Sequence, residues 1–334
     1  MNTQPNPFQP VLDSLLDEKK DFPRKYLQQF SDLGELELKT LLDVWSRVTL
    51  KRKLTLLEGL ETLSESDTLV NFDDLARALL SDSDSVVRGR AIRLLRECED
   101  VKLVPAYINI LKNDTDVQTR AEAAAALGMF VDLGELEEIS EAVQEQTEDA
   151  LREVVLGNDD VKVRRRALES LGYSSHPEVT KLIESAFQRD DPAWQASALF
   201  AMARSADSRW DEDVLISLRN DNRNVREAAV EAAGQLSIKT ASPILLKMLD
   251  DEDDDDVTSA VIWSLSQIGG EDARTYIENL LDQTDDEEQI EFLEEALENL
   301  AFTEDLDRFD LLNVEPGPDL DADEEDDGDM SRLN

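Results

Sequence analysis

The chain has 334 residues, of which 41 % are apolar and only 5 % aromatic, so it carries enough apolar mass for a core and leans away from sheet. Lys and Arg number 34 against 77 Asp and Glu, a formal charge of −43 whose field repels nucleic-acid phosphates and anionic lipid head groups, so neither nucleic acid nor membrane is expected as a partner. A single cysteine, Cys98, excludes an intrachain disulfide.

The opening residues "MNTQPNPFQP" have neither a basic start nor an apolar run, and no apolar stretch approaches the roughly 20 residues that cross a bilayer; a cytoplasmic location is expected. Residues 1–23, rich in proline, read as an irregular arm. Residues 24–68 read as capping helices, with "ELELKTLLDVWSRV" followed by "KRKLTLLEGLETL". A degenerate repeat anchored on Lys53 fits there, with Leu56 and Leu60 on its apolar stripe. End repeats are atypical because one face meets water.

From residue 69 to 302 the chain repeats itself. Equivalent windows are "DSVVRGRAIRLL", "DVQTRAEAAAALG", "DVKVRRRALESLG", "DPAWQASALFAM", "NRNVREAAVEAAG", "DDDVTSAVIWSLS" and "DEEQIEFLEEAL". Their anchors are Arg88, Arg120, Arg164, Gln195, Arg226, Thr258 and Ile290, spaced by 32, 44, 31, 31, 32 and 32 residues. Such a sustained period marks a stacked array. Four residues before each anchor stands Asp or Asn (Asp84, Asp116, Asp160, Asp191, Asn222, Asp254 and Asp286), the residue types whose side chains accept from the orphan N–H groups of a helix start. Pro192, directly after Asp191, marks a first helical position.

Three and seven residues after the anchors come Ala91 and Leu95, Ala123 and Leu127, Ala167 and Leu171, and Ala229 and Ala233, one apolar helical stripe. The small residues, with Gly128, Gly172 and Gly234, permit close helix approach. Pro105, Pro177 and Pro243 mark the first turn of a preceding helix, so each unit is a helix pair that must stack on its neighbours to bury its stripe. The expected fold is all-α: a right-handed superhelix of about seven to eight antiparallel pairs.

The pattern D-x-x-V-R-x-x-A-x-x-A-L-G resembles the HEAT family, in particular the short HEAT-like repeats of phycobilisome-lyase-type proteins. The resemblance covers roughly residues 70 to 302, and it speaks to fold far more than to function. It implies a hydrogen-bonded ladder between successive repeats from the turn Asp and second-helix Arg, here Asp84, Arg88, Asp116, Arg120, Asp160, Arg164, Asn222 and Arg226. Gln195, Thr258 and Ile290 depart from the pattern and put the ladder in doubt there.

The 44-residue spacing leaves about twelve extra residues near 132–143, read as a longer loop or an added helical turn. From Thr303 the pattern stops, and residues 303–334, with "DLDADEEDDGD", read as a disordered acidic tail. An EF-hand is excluded there because Glu324 stands where the loop needs glycine. "DDEDDDD" at 250–256 reads as a solvated turn.

No catalytic, cofactor or metal set emerges. The one histidine, His176, precedes Pro177 and reads as a cap or turn residue. HEAT-like deoxyhypusine hydroxylases hold two irons with several His–Glu pairs, which one histidine cannot supply, and HEAT-like alkylpurine DNA glycosylases need a basic groove. The remaining surface is that of the second helices, exposed about two, five and nine residues past each anchor. Tyr173, Phe200 and Trp263 are large aromatics there, with Arg165, Arg166 and Arg204 beside them, a candidate strip for a protein or peptide partner. The expected function is a non-enzymatic scaffold presenting a concave solenoid surface; the alternative implied by the resemblance is a subunit of a bilin-lyase-type enzyme.

Overall fold

The computed structural model describes residues 8–251 and 254–312. All its regular elements are helical, with no strand among the described residues, and the chain divides into two compact units, Met1–Leu236 and Ser237–Asn334. The fold is an all-α solenoid of stacked helix pairs. In the first unit, α1 (Gln9–Leu16) precedes the pairs α2 (Glu35–Trp45) with α3 (Leu50–Ser66), α4 (Asp73–Leu79) with α5 (Ser85–Leu94) and α6 (Val104–Asn113) with α7 (Val117–Glu135). It continues with α8 (Glu141–Leu156) and α9 (Val161–Leu171), α10 (Pro177–Phe187) and α11 (Pro192–Arg204), and α12 (Asp211–Ser217) and α13 (Arg223–Gln235). The second unit holds α14 (Ser242–Asp251), α15 (Asp255–Ile268), α16 (Glu271–Gln283) and α17 (Glu287–Leu312).

The helix starts follow from the caps. Side chains of Asp84, Asp116, Asp160, Asp191, Asn222 and Asp254 accept from first-turn N–H groups at 2.7–3.4 Å. Pro177 and Pro192 occupy the first turns of α10 and α11. Within the first unit, second helices pack on second helices: α3 on α5, α5 on α7, α7 on α9, α9 on α11 and α11 on α13. The stripe from Ala91 and Leu95 to Ala229 and Ala233 is buried, as is the residue just before every anchor but Ile290, namely Val87, Thr119, Val163, Trp194, Val225 and Val257. Each buried aliphatic side chain contributes roughly 1.5–3 kcal/mol.

Small residues set the helix spacing at two places. A Cβ on Gly172 would lie 2.6 Å from the Ala201 carbonyl oxygen, so α9 meets the backbone of α11 with no room for a methyl group. A Cβ on Gly128 would lie 3.0 Å from the Ser170 hydroxyl, which itself donates to the Ala124 carbonyl across the α7–α9 contact at 2.8 Å.

The rungs between repeats differ in membership from the expected ladder. Cap side chains are turned onto their own helices and are unavailable to the preceding repeat. The acid that crosses stands one or two residues earlier. Arg88 pairs with Asp114, at 2.7 Å through Nε, and Arg120 pairs with Asp159 through two bonds of 2.6 and 3.0 Å. Lys53 reaches Asp82 in the same manner at 2.9 Å, its side chain covered as closely as the arginines are. Each of these acids also accepts the N–H of the following turn, Asp84, Asp116 or Asp160, which ties the interhelix turn to the rung.

The anchor side chain also clamps its own turn. Arg88, Arg120, Gln195 and Arg226 all donate to the carbonyl six residues earlier, at 2.6, 2.8, 3.0 and 3.1 Å. Gln195, which departs from arginine, makes this clamp on its own turn. Arg164 uses the Val155 carbonyl instead, at 2.9 and 3.1 Å, with its guanidinium 5.5 Å from the Trp194 ring centre. Asp160, expected on the ladder between repeats, caps α9 instead. In place of a clamp, Thr258 donates to the Asp254 carbonyl four residues back at 3.0 Å.

Two stretches differ from expectation, and a third takes one of the two forms expected for it. The arm at 1–23 contains α1, whose Val11, Leu12 and Leu15 are buried, because an apolar i, i+1, i+4 set follows Pro10. Around 132–143 the extra residues take the helical of the two expected forms: α7 and α8 are extended, and Leu133 and Gly134 are buried. Helix α17 runs ten residues past the point where the repeat pattern ends, since no Gly or Pro interrupts the chain before Leu312, and Arg274 pairs with Glu304 at 2.7 Å. The rest of the acidic tail, 313–334, lies outside the described residues.

The buried rung carries a pH-dependent prediction. Burial of Asp114 works against its ionised form, but the Asp116 N–H, Arg88 and Ser85 outweigh it and hold the carboxyl below its usual value. A carboxyl with a lowered folded pKa stabilises fully above its unfolded value near 3.9, and that contribution fades as pH falls through the folded pKa. Asp114→Asn should therefore lose about 2 kcal/mol at pH 7. The gap in melting temperature from the parent protein should narrow below about pH 4, as thermal melts across that range will show.

Candidate functional site

Along the second helices of the first unit, polar side chains link one repeat to the next. Glu61 of α3 receives Arg90 at 2.6 Å and Arg93 at 3.3 Å from α5, and Arg93 also contacts Glu122 of α7 at 3.1 Å. Gln118 donates to Glu122 at 2.6 Å and accepts from Lys162 of α9. These residues stand at helix spacings of three and four, on one exposed stripe of each helix.

Between α9 and α11 the pattern turns inward around Glu169. Its side chain is almost wholly buried, receiving the Ser197 hydroxyl at 2.6 Å on one oxygen and Arg166 at 2.6 Å on the other. Arg204 donates to the Glu169 carbonyl at 2.7 Å while its guanidinium lies 5.1 Å from the centre of the Tyr173 ring. Arg165 donates to the Ala193 carbonyl at 3.2 Å, and its Nε is buried with no partner among the described residues. Four of the six sequence candidates therefore share one neighbourhood: Arg166 binds the Glu169 carboxylate, Arg204 its backbone carbonyl and the Tyr173 ring, and Arg165 the Ala193 carbonyl beside Ser197. Neither Glu169 nor Ser197 was singled out in the sequence. Their positions, five and two past the anchors, were the available signal.

Phe200 lies on α11 three residues after Ser197 and four before Arg204, which places it on the same stripe; it is half-buried. Trp263 is half-buried on α15, in the second unit. Tyr173 is half-buried as well, so each aromatic leaves part of its ring on the surface.

The next residue five past an anchor is Glu231 of α13. Burial, and then the neighbouring Glu227, push its carboxyl above the usual range, and no hydrogen bond satisfies it among the described residues. A half-covered carboxylate beside another carboxylate attracts a cation. Arg223 lies within 3.9 Å of Glu227.

Outside this strip, His176 caps α10 by accepting the Glu178 N–H at 3.2 Å. Cys98 is half-buried and accepts from Arg77 at 3.0 Å; burial is the largest influence raising its thiol pKa. Among the described residues there is no cluster of three or more His, Cys, Asp or Glu arranged to hold a metal ion. No helix there is long and apolar enough to cross a membrane.

Stacked helix pairs, with clamped turns and second helices packed in series within the first unit, define the molecule as a helical-repeat solenoid. Residues 72–156 and 212–298, just over half of the chain, match the HEAT repeats. The chain belongs to the HEAT-repeat family. Over 164 residues, 48 % of this chain and 78 % of the relative, it is 29 % identical to the uncharacterized phycocyanin operon protein Z of Pseudanabaena tenuis (strain PCC 7409).

Among solved structures it is similar to the complex of CpcE and CpcF of phycocyanin lyase from Nostoc sp. PCC7120. The identity is 19 % and the TM-score 0.46, over 68 % of this chain and 94 % of that one. It is also similar to importin beta, at 14 % identity and a TM-score of 0.40, over 88 % of this chain and 41 % of that one.

The raised carboxyl of Glu231 yields a signed expectation. A group whose folded pKa is raised destabilises the fold when ionised and ceases to do so as pH falls to its unfolded value. Glu231→Gln should melt higher than the parent at pH 7, with the advantage gone near pH 4. Equal melting at pH 7 would show that the carboxylate is already compensated.

Proposed function

We propose that the protein is a non-enzymatic binding scaffold that presents the second-helix face of its repeats to a protein or peptide partner. The observation that carries this reading is the construction of the α9–α11–α13 strip. Glu169, Arg166, Arg204 and Ser197 hold one another in place, which lowers the ordering cost of binding. On that fixed ground stand Tyr173 and Phe200 with part of each ring exposed, followed by Glu231 with an uncompensated carboxyl. Rigid aromatics beside a charge in search of a counterion suit a segment that offers apolar side chains and a lysine or arginine.

A second reading, a subunit of a bilin-lyase-type enzyme, is favoured by the name of the relative from Pseudanabaena tenuis, whose gene belongs to a phycocyanin operon by that name. The two separate in one experiment. Affinity capture from the native lysate with mass spectrometry should return a reproducible protein set that Tyr173→Ala, Phe200→Ala loses while the melting curve stays in place. A copurifying bilin, or transfer of a bilin to a phycobiliprotein, would favour the lyase reading. Lost stability with binding intact per folded molecule would move the site off this strip.

A further inference from the structure

At the N-terminal end of the first unit, far along the chain from the strip just described, a cleft of about 1050 Å³ runs between residues 18–28 and α3. Its floor is the α3 stripe Lys51, Arg52, Thr55, Gly59, Thr62 and Ser66, which at 1.5 Å per residue makes a groove roughly 22 Å long. A polypeptide in extended form covers that distance with about seven residues.

The charge of the cleft runs against the rest of the molecule. Lys20, Arg24 and Lys25 come from one wall and Lys51 and Arg52 from the other, against Glu18, Asp21 and Glu58. In a chain of net charge −43, five cations around one groove form a local reversal of field. The exposed ones are not spent on acids: the side chains of Lys20, Arg24 and Lys51 have no ion pair or hydrogen bond among the described residues, whereas Arg88, Arg90, Arg93 and Arg120 are all paired.

Arg52 is different and explains why the cleft holds its shape. It is buried, and it donates to the carbonyls of Asp17 (2.7 Å) and Lys20, fastening the 17–23 segment to α3. Phe22 packs on Phe30, ring centres 6.1 Å apart, and anchors the other side of that segment. The cleft is also graded along its length. Lys51, Arg52 and the N-terminal N–H groups of α3 lie at one end, where Arg52 holds the Lys20 carbonyl. Leu27, Leu63, Thr62 and Ser66 make the other end uncharged.

We propose that this cleft docks an acidic segment of a partner protein, with carboxylates toward Lys20, Arg24 and Lys51 and apolar side chains toward Leu27 and Leu63. The groove's length favours a polypeptide over a compact small molecule. Its uncharged half and the surrounding acidity favour a short run of carboxylates over a uniform polyanion such as a nucleic acid. The surface is separate from the α9–α13 strip, so the two readings stand or fall independently.

The test uses the full-length protein and a displayed library of random peptides of about ten residues, screened in parallel on the parent and on Lys20→Glu, Arg24→Glu, Lys51→Glu. All three side chains are exposed, so the variant should keep the parent's melting curve, and Arg52 is left intact. Peptides combining Asp or Glu with Leu or Phe should be enriched on the parent and fall at least roughly tenfold on the variant. Their binding, read by fluorescence anisotropy, should weaken as added salt screens the exposed charges. The proposal is overturned if acidic peptides are not enriched above the input, or if they are enriched equally on the variant. It is equally overturned if a thymidine oligonucleotide binds the parent in a Lys51-dependent manner and the acidic peptides do not.

Discussion

The first unit depends on one side chain used twice. At the anchor position of α5, α7, α11 and α13, an arginine or its substitute donates to the carbonyl six residues earlier, and in the better-formed rungs it also reaches an acid in the next repeat. The interhelix turn would otherwise leave carbonyl groups unsatisfied at the point where two helices and a neighbouring repeat converge, an expensive omission. A guanidinium suits that place because its planar fork donates in several directions at once while its stem covers apolar surface. Where Gln195 replaces arginine, the fork is gone but a single donor remains, so the clamp persists without the ion pair.

That device frees the second-helix surface from the task of holding the stack together. The exposed positions can carry either a cross-repeat polar network, as from Glu61 to Lys162, or a cluster around a buried carboxylate, as at Glu169. The two arrangements have different consequences. The first neutralises its own charges and leaves little to recognise. The second leaves Tyr173 and Phe200 partly uncovered on a fixed base, and α13, packed on α11, carries Glu231.

The N-terminal end solves a different problem. A terminal repeat has one face with no neighbour to cover it. Here α1, with Val11, Leu12 and Leu15, and the aromatic contacts of Phe8 and Phe22 with Phe30 supply an apolar cover before the regular repeats begin. Lys53 then carries out the pairing that Arg88 and Arg120 perform further on.

The sequence by itself determined the fold class, the helix starts and the buried stripe. Each is encoded locally: a cap side chain answers to its own first turn, a proline to its own φ, and an apolar stripe to the 3.6-residue period. Only the tertiary structure decided which acid each anchor meets, because Asp82, Asp84, Asp114 and Asp116 are chemically alike and differ only in which way the turn aims them. The same holds for the site. Tyr173, Arg165, Arg166 and Arg204 were legible as large or cationic residues on an exposed stripe, but their meeting place, Glu169, looked like one carboxylate among 77 acidic residues. What distinguishes it is the close approach of α9 and α11 at Gly172, which excludes water and brings Ser197 and Arg204 from the next repeat within hydrogen-bonding distance. Contacts between residues about thirty positions apart are set by helix packing, and no local pattern in the chain records them.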